Sequence, residues 1–401
     1  MRESQIRLLI GYARYTDRLS YYDDWLDAFR RFPEFSLREF NIAEQGRQAE
    51  LKRLLDEVDA VVLLHSTNGD TTVYLEPYAA TLAARQVPLL TFVGNEVNLP
   101  GSPISEKRRV LGLFRPDWVG TQLLEEAGEY YFGDIVTRRV VALPHALNPE
   151  VFIVKRPLEQ RPIDIGARLS RYLPHLGDND RNRVADAFCV LGPRQGLAVD
   201  ISDTLYDRDG WVDFLNRCKG TVSSESGTWF PERDDATVNA VRSYVLEQTK
   251  GFIIPNDSSL RTFDHKLPVW LKNALRHILG AGPLRHEAVV NESISFDDIH
   301  ARFFANRPRA SVYGKCISSR HFDAIGTKTC QIMLRGRYND ILHADEHYLA
   351  LDDDLSNVSA VIERFRDPVV RRTVAETAHG FVMAHHTYAH RMQAIATLLR
   401  G

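Results

Sequence analysis

The chain has 401 residues, enough for about two domains, and its 44% hydrophobic and 26% charged residues are ordinary globular values. A net charge of −3 argues against an extended nucleic-acid surface, since tracking phosphates needs clustered Lys and Arg. No apolar run approaches the ~20 residues of a membrane span, and no apolar segment follows Met1-Arg2-Glu3-Ser4 as a signal peptide would require. Cys189, Cys218, Cys316 and Cys330 are widely spaced, which suits reduced thiols better than a disulfide framework or metal site. A cytoplasmic protein is expected.

Residues 6–13 read as a buried strand, followed by a helix with Trp25, Leu26, Phe29 and Phe32 on one face. A strand at 35–40, a helix carrying Leu51, Leu54, Leu55 and Val58, and a strand at 59–65 come next. The last opens into the polar loop 66–70. A helix is predicted over 73–86, then strands at 87–93, 117–121 and 139–143. This alternation argues a parallel sheet with helices on both faces, with ligands beyond the carboxyl ends of the strands. His65, Asp70, Asn95, Glu96 and His145 all lie at strand exits.

Residues 155–162 are polar with two prolines and read as a linker. Beyond it, a strand at 163–167 is followed by Arg168, Arg171 and His175. A helix at 179–190, a strand at 196–201, a helix with Trp211, Phe214 and Leu215, and a strand at 220–224 continue the pattern. That strand turns into Glu225-Ser226-Gly227-Thr228. Residues 229–310 are the least legible, with a helix predicted over 267–279; they either cover a cleft or extend the domain.

From Ser318 the pattern sharpens. Ser318 and Ser319 are helix-capping types, and a short helix through Arg320-His321-Phe322-Asp323-Ala324 is predicted to end near Gly326. Strands at 329–333 and 347–351 and a helix with Val358, Val361, Ile362 and Phe365 follow. One small loop thus gathers a helix N-terminus, an arginine and a carboxylate. A last helix is predicted from 376 to 399.

This order of residues resembles the nucleotide-sugar half of glycosyltransferases with the GT-B fold. It is most similar to the family-1-like C-terminal domain of spore-coat CgeB-like and polysaccharide-assembly proteins. Arg320-His321-Phe322-Asp323-Ala324 stands for that family's Arg-x-Phe-Glu-Ala, and Tyr348-Leu349-Ala350-Leu351 with Asp354 for its Tyr-Leu-x-Leu-x-x-Asp. Asp323 is one methylene shorter than the usual Glu, Lys328 replaces a proline, and Lys315 stands where an upstream glutamate is common. Pro144, Ala146 and Phe152 resemble the Pro-x-Gly-x5-Phe exit from the first GT-B domain, and His386-Thr387-Tyr388 with Arg391 the family's ending.

The resemblance implies an α/β protein of two Rossmann-like domains facing across a cleft. An acceptor-side domain would span 1–155, a nucleotide-sugar domain 163–380, and a terminal helix at 381–401 would pack back on the first. It implies sugar transfer from a nucleotide sugar to a glycan or lipid-linked glycan acceptor, in surface polysaccharide or glycoconjugate biosynthesis. It implies no metal, no cofactor beyond the donor, and retention of the anomeric configuration. Where the acceptor is lipid-linked, peripheral contact with the inner membrane face follows. Arg168, Arg171, Ser226, Gly227, Ser318, Ser319, Arg320, Phe322, Asp323, Thr327 and Lys328 are the expected donor contacts. Guanidinium suits phosphate oxygens, and a carboxylate accepts from ribose hydroxyls.

Glu96, His65, Asp70 and Glu225 are the candidate catalytic groups, Glu96 standing where retaining relatives often have a histidine after the strand. Ordinary loop or core roles compete for each of them. Asp178-Asn179-Asp180, Asp207-Arg208-Asp209 and Asp352-Asp353-Asp354 resemble metal-binding Asp-x-Asp, yet two of these runs precede helices, where carboxylates favour the macrodipole. Glu106-Lys107-Arg108-Arg109 reads as a solvated helix face rather than a lipid contact. Two other activities fit the same residues: a sugar-nucleotide epimerase or hydrolase, and a non-catalytic glycan-binding or assembly protein.

Overall fold

The apolar run near the start forms β1 (Ile6–Tyr12), which pairs in parallel with β2 (Phe35–Asn41) on one side and β3 (Ala60–Leu63) on the other. The computed structural model describes residues 5–14, 21–248, 252–254, 284–286 and 294–401, so the helix predicted over 267–279 lies outside the described residues. β4 (Leu89–Phe92), β5 (Trp118–Thr121) and β6 (Arg139–Ala142) extend the first sheet in the order β2-β1-β3-β4-β5-β6, all parallel. Strands β3, β4 and β5 are buried throughout, as a sheet covered on both faces demands. α1 (Tyr21–Arg31), α2 (Gln48–Leu55), α3 (Ala79–Ala83), α4 (Ile104–Phe114) and α5 (Glu125–Phe132) provide the connections. The helix predicted over 73–86 is shorter: a 3-10 turn at Glu76–Tyr78, with Pro77 inside it, leads into α3.

The second sheet contains β7 (Ile163–Arg168), β8 (Val199–Ser202), β9 (Cys218–Ser223), β14 (Cys330–Leu334) and β15 (Leu349–Leu351), in the order β15-β14-β9-β7-β8 and again all parallel. The order reverses at β7, so the crevice between the ends of β7 and β9 is the expected ligand position. β10 (Ser226–Gly227) pairs antiparallel with β13 (Lys315–Cys316), and a short parallel pair joins β11 (Phe252–Ile254) to β12 (Leu284–His286). Helices α6 (Asp180–Arg194), α7 (Arg208–Leu215), α8 (Ala236–Gln248), α9 (Phe296–Phe303), α10 (Ser319–Gly326), α11 (Val358–Arg366) and α12 (Pro368–His385) belong to this half. Phe230, Val241, Val245, Ile299 and Phe304 form a small core of their own, with α8 and α9 against Pro174–Leu176.

The long last helix predicted from 376 is two helices. α12 stops at His385, and α13 (Tyr388–Arg400) starts afresh after a break at His386-Thr387. The break has a physical reason: Leu147 N–H donates to the His386 carbonyl (2.9 Å) and Tyr388 N–H to the Leu147 carbonyl (3.0 Å), so strand-like pairing replaces helical bonds there. Only α13 reaches the first sheet, burying Tyr388, Met392, Ile395 and Ala396 against Trp25, Leu26 and Phe29. Gly326 serves the same junction, since a Cβ on it would lie 2.6 Å from Leu147 Cδ1 and from the Phe152 carbonyl.

The linker is fastened by Arg161, which is 1% exposed. Its guanidinium donates to the carbonyls of Arg156, Leu215, Cys218 and Thr327 and to the Thr329 hydroxyl. Burial lowers its pKa to about 10, so it remains a cation at neutral pH. Arg161→Met would leave several buried acceptors without a donor. We expect it to lose about 3 kcal/mol of stability, read as a lower urea midpoint at unchanged slope.

Candidate functional site

The carboxyl ends of the two sheets enclose one cavity of about 530 Å³. Asn95, Glu96, Gln122 and His145 line it from the first lobe, and Arg168, Arg181, Ser226, Ser318, Arg320 and Asp323 from the second.

The second-lobe wall is cationic because local structure delivers arginines to it. Ser318 is the N-cap of α10, and its N–H donates to His321 Nδ1 at 2.9 Å, which leaves the first turn with Ser319 and Arg320 facing the cavity. Arg168, at the end of β7, also lines the cavity, but its guanidinium is held by Asp200 (2.8 Å) and stacked over Phe214 at 3.9 Å. Arg171 is ion-paired with Asp186 and largely exposed. Arg181, in the first turn of α6, was not singled out in the sequence. It lies over the Tyr172 ring at 4.0 Å and donates to the Tyr172 hydroxyl and Ser226 Oγ, and among the described residues no carboxylate pairs with it. Gly227 beside it has φ +114°, and a Cβ there would meet the Gly314 carbonyl at 2.2 Å, so only glycine fits. Asp323 accepts from Trp211 Nε1 at 3.0 Å, and burial raises its carboxyl well above the usual carboxylate range.

The first-lobe wall contributes no arginine, and burial acts on its titratable groups as it does on Asp323. Glu96 is buried, with Thr121 Oγ1 and the Gln122 N–H (3.0 Å) donating to its two oxygens. Burial still raises its pKa to about 7. Lys107 is also buried, which corrects the solvated-face reading of 106–109. Its ammonium donates to the Gly94 and Asn95 carbonyls, both at 2.7 Å, and burial lowers its pKa to about 7. His145 accepts from Trp25 Nε1 on Nδ1 (3.1 Å), so its proton is on Nε2, and burial lowers its pKa to about 3. His145 stands in the cavity wall; His65 is behind it, stacked on Phe92 and His145 in the core.

Several candidate residues are elsewhere. Asp70 is exposed and accepts from Asn95 Nδ2 at 2.9 Å, outside the cavity lining. Glu225 is turned away from the cavity, accepting from the Tyr313 hydroxyl and the Tyr338 N–H (2.6 Å). Phe322 is fully buried among Ile317, Ile325 and Tyr338. Thr327 and Lys328 follow the C-terminal end of α10, about 12 Å along the axis from its N-terminus, and neither lines the cavity. Asp178 and Asp180 hold the Nζ of buried Lys315, with Asp178 at 2.8 Å, and Asp207 caps α7 by accepting from the Gly210 N–H.

The signs of these shifts give a stability test. Glu96 binds its proton more tightly in the folded state, so its contribution favours folding at low pH and is lost as pH rises from about 4.5 towards 7. Glu96→Gln should therefore gain stability relative to wild type on going from pH 5 to pH 8, by at least about 1 kcal/mol in urea unfolding. An unchanged difference across that range would mean the carboxyl is solvated.

Residues 285–397 match the family model described as glycosyl transferase-like. No curated protein sequence is significantly similar to the chain. Among solved structures, Anabaena HepE in complex with UDP-glucose superposes with a TM-score of 0.51 at 9% identity, covering 99% of this chain and 100% of that one. HepE with UDP and glucose gives 0.52 at 10% identity with the same coverage. The chain therefore has the two-lobed GT-B glycosyltransferase fold, and its residues 285–397 carry the sequence pattern of the glycosyl transferase-like family.

Proposed function

We propose that the protein transfers a sugar from a nucleotide sugar held by the second lobe to an acceptor hydroxyl admitted beside the first. One observation carries this reading. A cationic wall of Arg181, Arg320 and the α10 N-terminus faces a first-lobe wall that holds Glu96 and His145, across a single cavity. Arginines and a helix N-terminus suit a diphosphate in the ground state and stabilise the charge that gathers on it as the glycosidic bond breaks. HepE, with the same fold, binds UDP-glucose, which makes UDP-hexoses the first donors to try.

The acceptor oxygen forms a bond to the anomeric carbon while the bond to the diphosphate breaks and its electron pair departs with the leaving group. Where the anomeric configuration inverts, Glu96 takes the hydroxyl proton. Where it is retained, as the family resemblance implies, the departing diphosphate takes that proton and Glu96 positions the donor sugar. Asp323, beside Trp211, suits a nucleoside hydroxyl. The Asp178 and Asp180 carboxylates are already engaged by Lys315, and Asp180 by Arg183 as well, which supports transfer without a metal ion at this pair. No helix among the described residues is long and apolar enough to cross a membrane. Acceptors are therefore supplied as free glycans and, separately, in detergent or vesicles.

Nucleotide release from a panel of nucleotide sugars tests the reading. Transfer requires an acceptor, hydrolysis does not, and a binding protein releases nothing. Glu96→Gln should keep donor affinity and cut turnover about 100- to 10,000-fold, and wild-type turnover should fall as pH drops through about 7. More than half the activity in that variant would remove Glu96 from the mechanism. Arg320→Ala should weaken donor binding about 10- to 100-fold by calorimetry, the loss of one charge-assisted contact.

A further inference from the structure

The first turn of α4 begins at Pro103 and has no side-chain cap from its own lobe. Its cap comes from the other lobe. The Ser105 N–H donates to Asp235 Oδ2 at 2.7 Å and the Ile104 N–H to Asp235 Oδ1 at 3.2 Å. Asn98 Nδ2 also donates to Asp235 Oδ1 (2.8 Å), and Asn98 exchanges a reciprocal pair of bonds with the backbone of Glu232, at 2.8 and 3.1 Å. Asp235 is fully buried in this contact and is held at φ +57°, a left-handed conformation that Asp tolerates better than most residues.

The elements that Asp235 grips also build the first-lobe wall of the cavity. Asn98 is two residues from Glu96 on the same loop. α4 carries Lys107, whose ammonium ties down the Gly94 and Asn95 carbonyls immediately before Glu96. We propose that Asp235 is a positioning residue: by capping α4 and fixing Asn98 from the opposite lobe, it sets the Glu96 loop, so the catalytic arrangement forms only when the lobes dock. The inference rests on the reading of Glu96 given above. Among the described residues, Lys107, Asp70, Tyr130 and Tyr131 are titratable groups around this loop, with Asp235 itself, Glu232 and Cys316 on the side of the second lobe.

The test uses the full chain and Asp235→Ala. Amide hydrogen exchange at Ile104 and Ser105 should quicken about 10-fold or more, while the amides of β3 and β4 exchange as in wild type. Turnover should fall about 10- to 100-fold with donor KM little changed, since misplacement of a reacting group acts on the chemical step. The Glu96 carboxyl, followed by carbon-13 NMR and assigned with Glu96→Gln, should titrate at least one pH unit below its wild-type midpoint near 7, because burial is the largest cause of that midpoint. A purely structural role for Asp235 would lower stability without moving this titration. Asp235→Asn, which keeps an acceptor but no charge, should shift the same readouts less, and it serves if the alanine variant does not fold. Unchanged exchange at Ile104 and Ser105 would overturn the proposal, as would faster exchange with wild-type turnover and titration. Wild-type protein inactive with every donor would overturn the transferase reading instead, and the exchange and carbon-13 measurements would still decide the role of Asp235.

Discussion

Parallel strands deliver all their carboxyl ends to one edge of a sheet, and in this chain two such edges are turned towards each other. Everything that lines the cavity follows from that constraint. The loops after β4, β5 and β6 bring Glu96, Gln122 and His145; the end of β7 brings Arg168, and β10, just after β9, brings Ser226. α10 adds its N-terminus because β13, paired with β10, delivers the chain to Ser318 at the same edge. A helix that follows a strand in a parallel unit starts near the strand's carboxyl end, so helix N-termini and strand-exit side chains share the site without any special arrangement.

The two walls differ in how they manage charge. In the second lobe Arg168 is paired with Asp200, and Lys315, behind the wall, with Asp178 and Asp180, while Arg181 is held by the Tyr172 and Ser226 hydroxyls and the Tyr172 ring. Ionisable groups of the first lobe are desolvated with fewer compensating contacts, and burial drives Glu96 and Lys107 towards each other's titration range and His145 far below neutrality. Such a wall costs stability in the empty protein and is typical of groups tuned for proton chemistry. In the proposed reaction, this division would place charged groups at the anionic leaving group and proton-exchanging groups at the acceptor hydroxyl.

Much of this was legible in the sequence where the signal is local. Buried strands such as 60–63 and 330–334 are short apolar runs, and the capping residue, arginine and carboxylate of α10 sit within six positions of one another. Residues that depend on distant partners were not legible. Lys107 looked solvated inside a run of four charged residues, because the carbonyls that satisfy it belong to a different loop. Asp235 and its α4 amides are about 130 residues apart, a pairing no local pattern encodes. Glu225 was the right loop with the wrong face: Ser226, its neighbour in an extended segment, points into the cavity, and alternation turns Glu225 to Tyr313 and Tyr338. His65 and His145 both follow strands, and only the stacking of His65 on Phe92 separates core from wall.

The contacts between the lobes are of two physical kinds, which differ in what it would cost to separate them. Where the chain crosses between lobes the contact is apolar: Leu147 and Phe152 pack on Ile317, Phe322 and Ile325, while α13 buries its face on Trp25 and Phe29. Separating these would expose hydrocarbon, at roughly 25 cal/mol for each Å². Other contacts between the lobes are polar: Arg337 with Glu126, Arg208 with Asp24 and Asp27, Asn339 with the Gln122 carbonyl, and Asp235 with α4. Groups of this kind exchange partners with water at a net cost of about 1 kcal/mol per bond. The junction thus joins an apolar crossing, costly to separate, to polar contacts that exchange for water at little net cost.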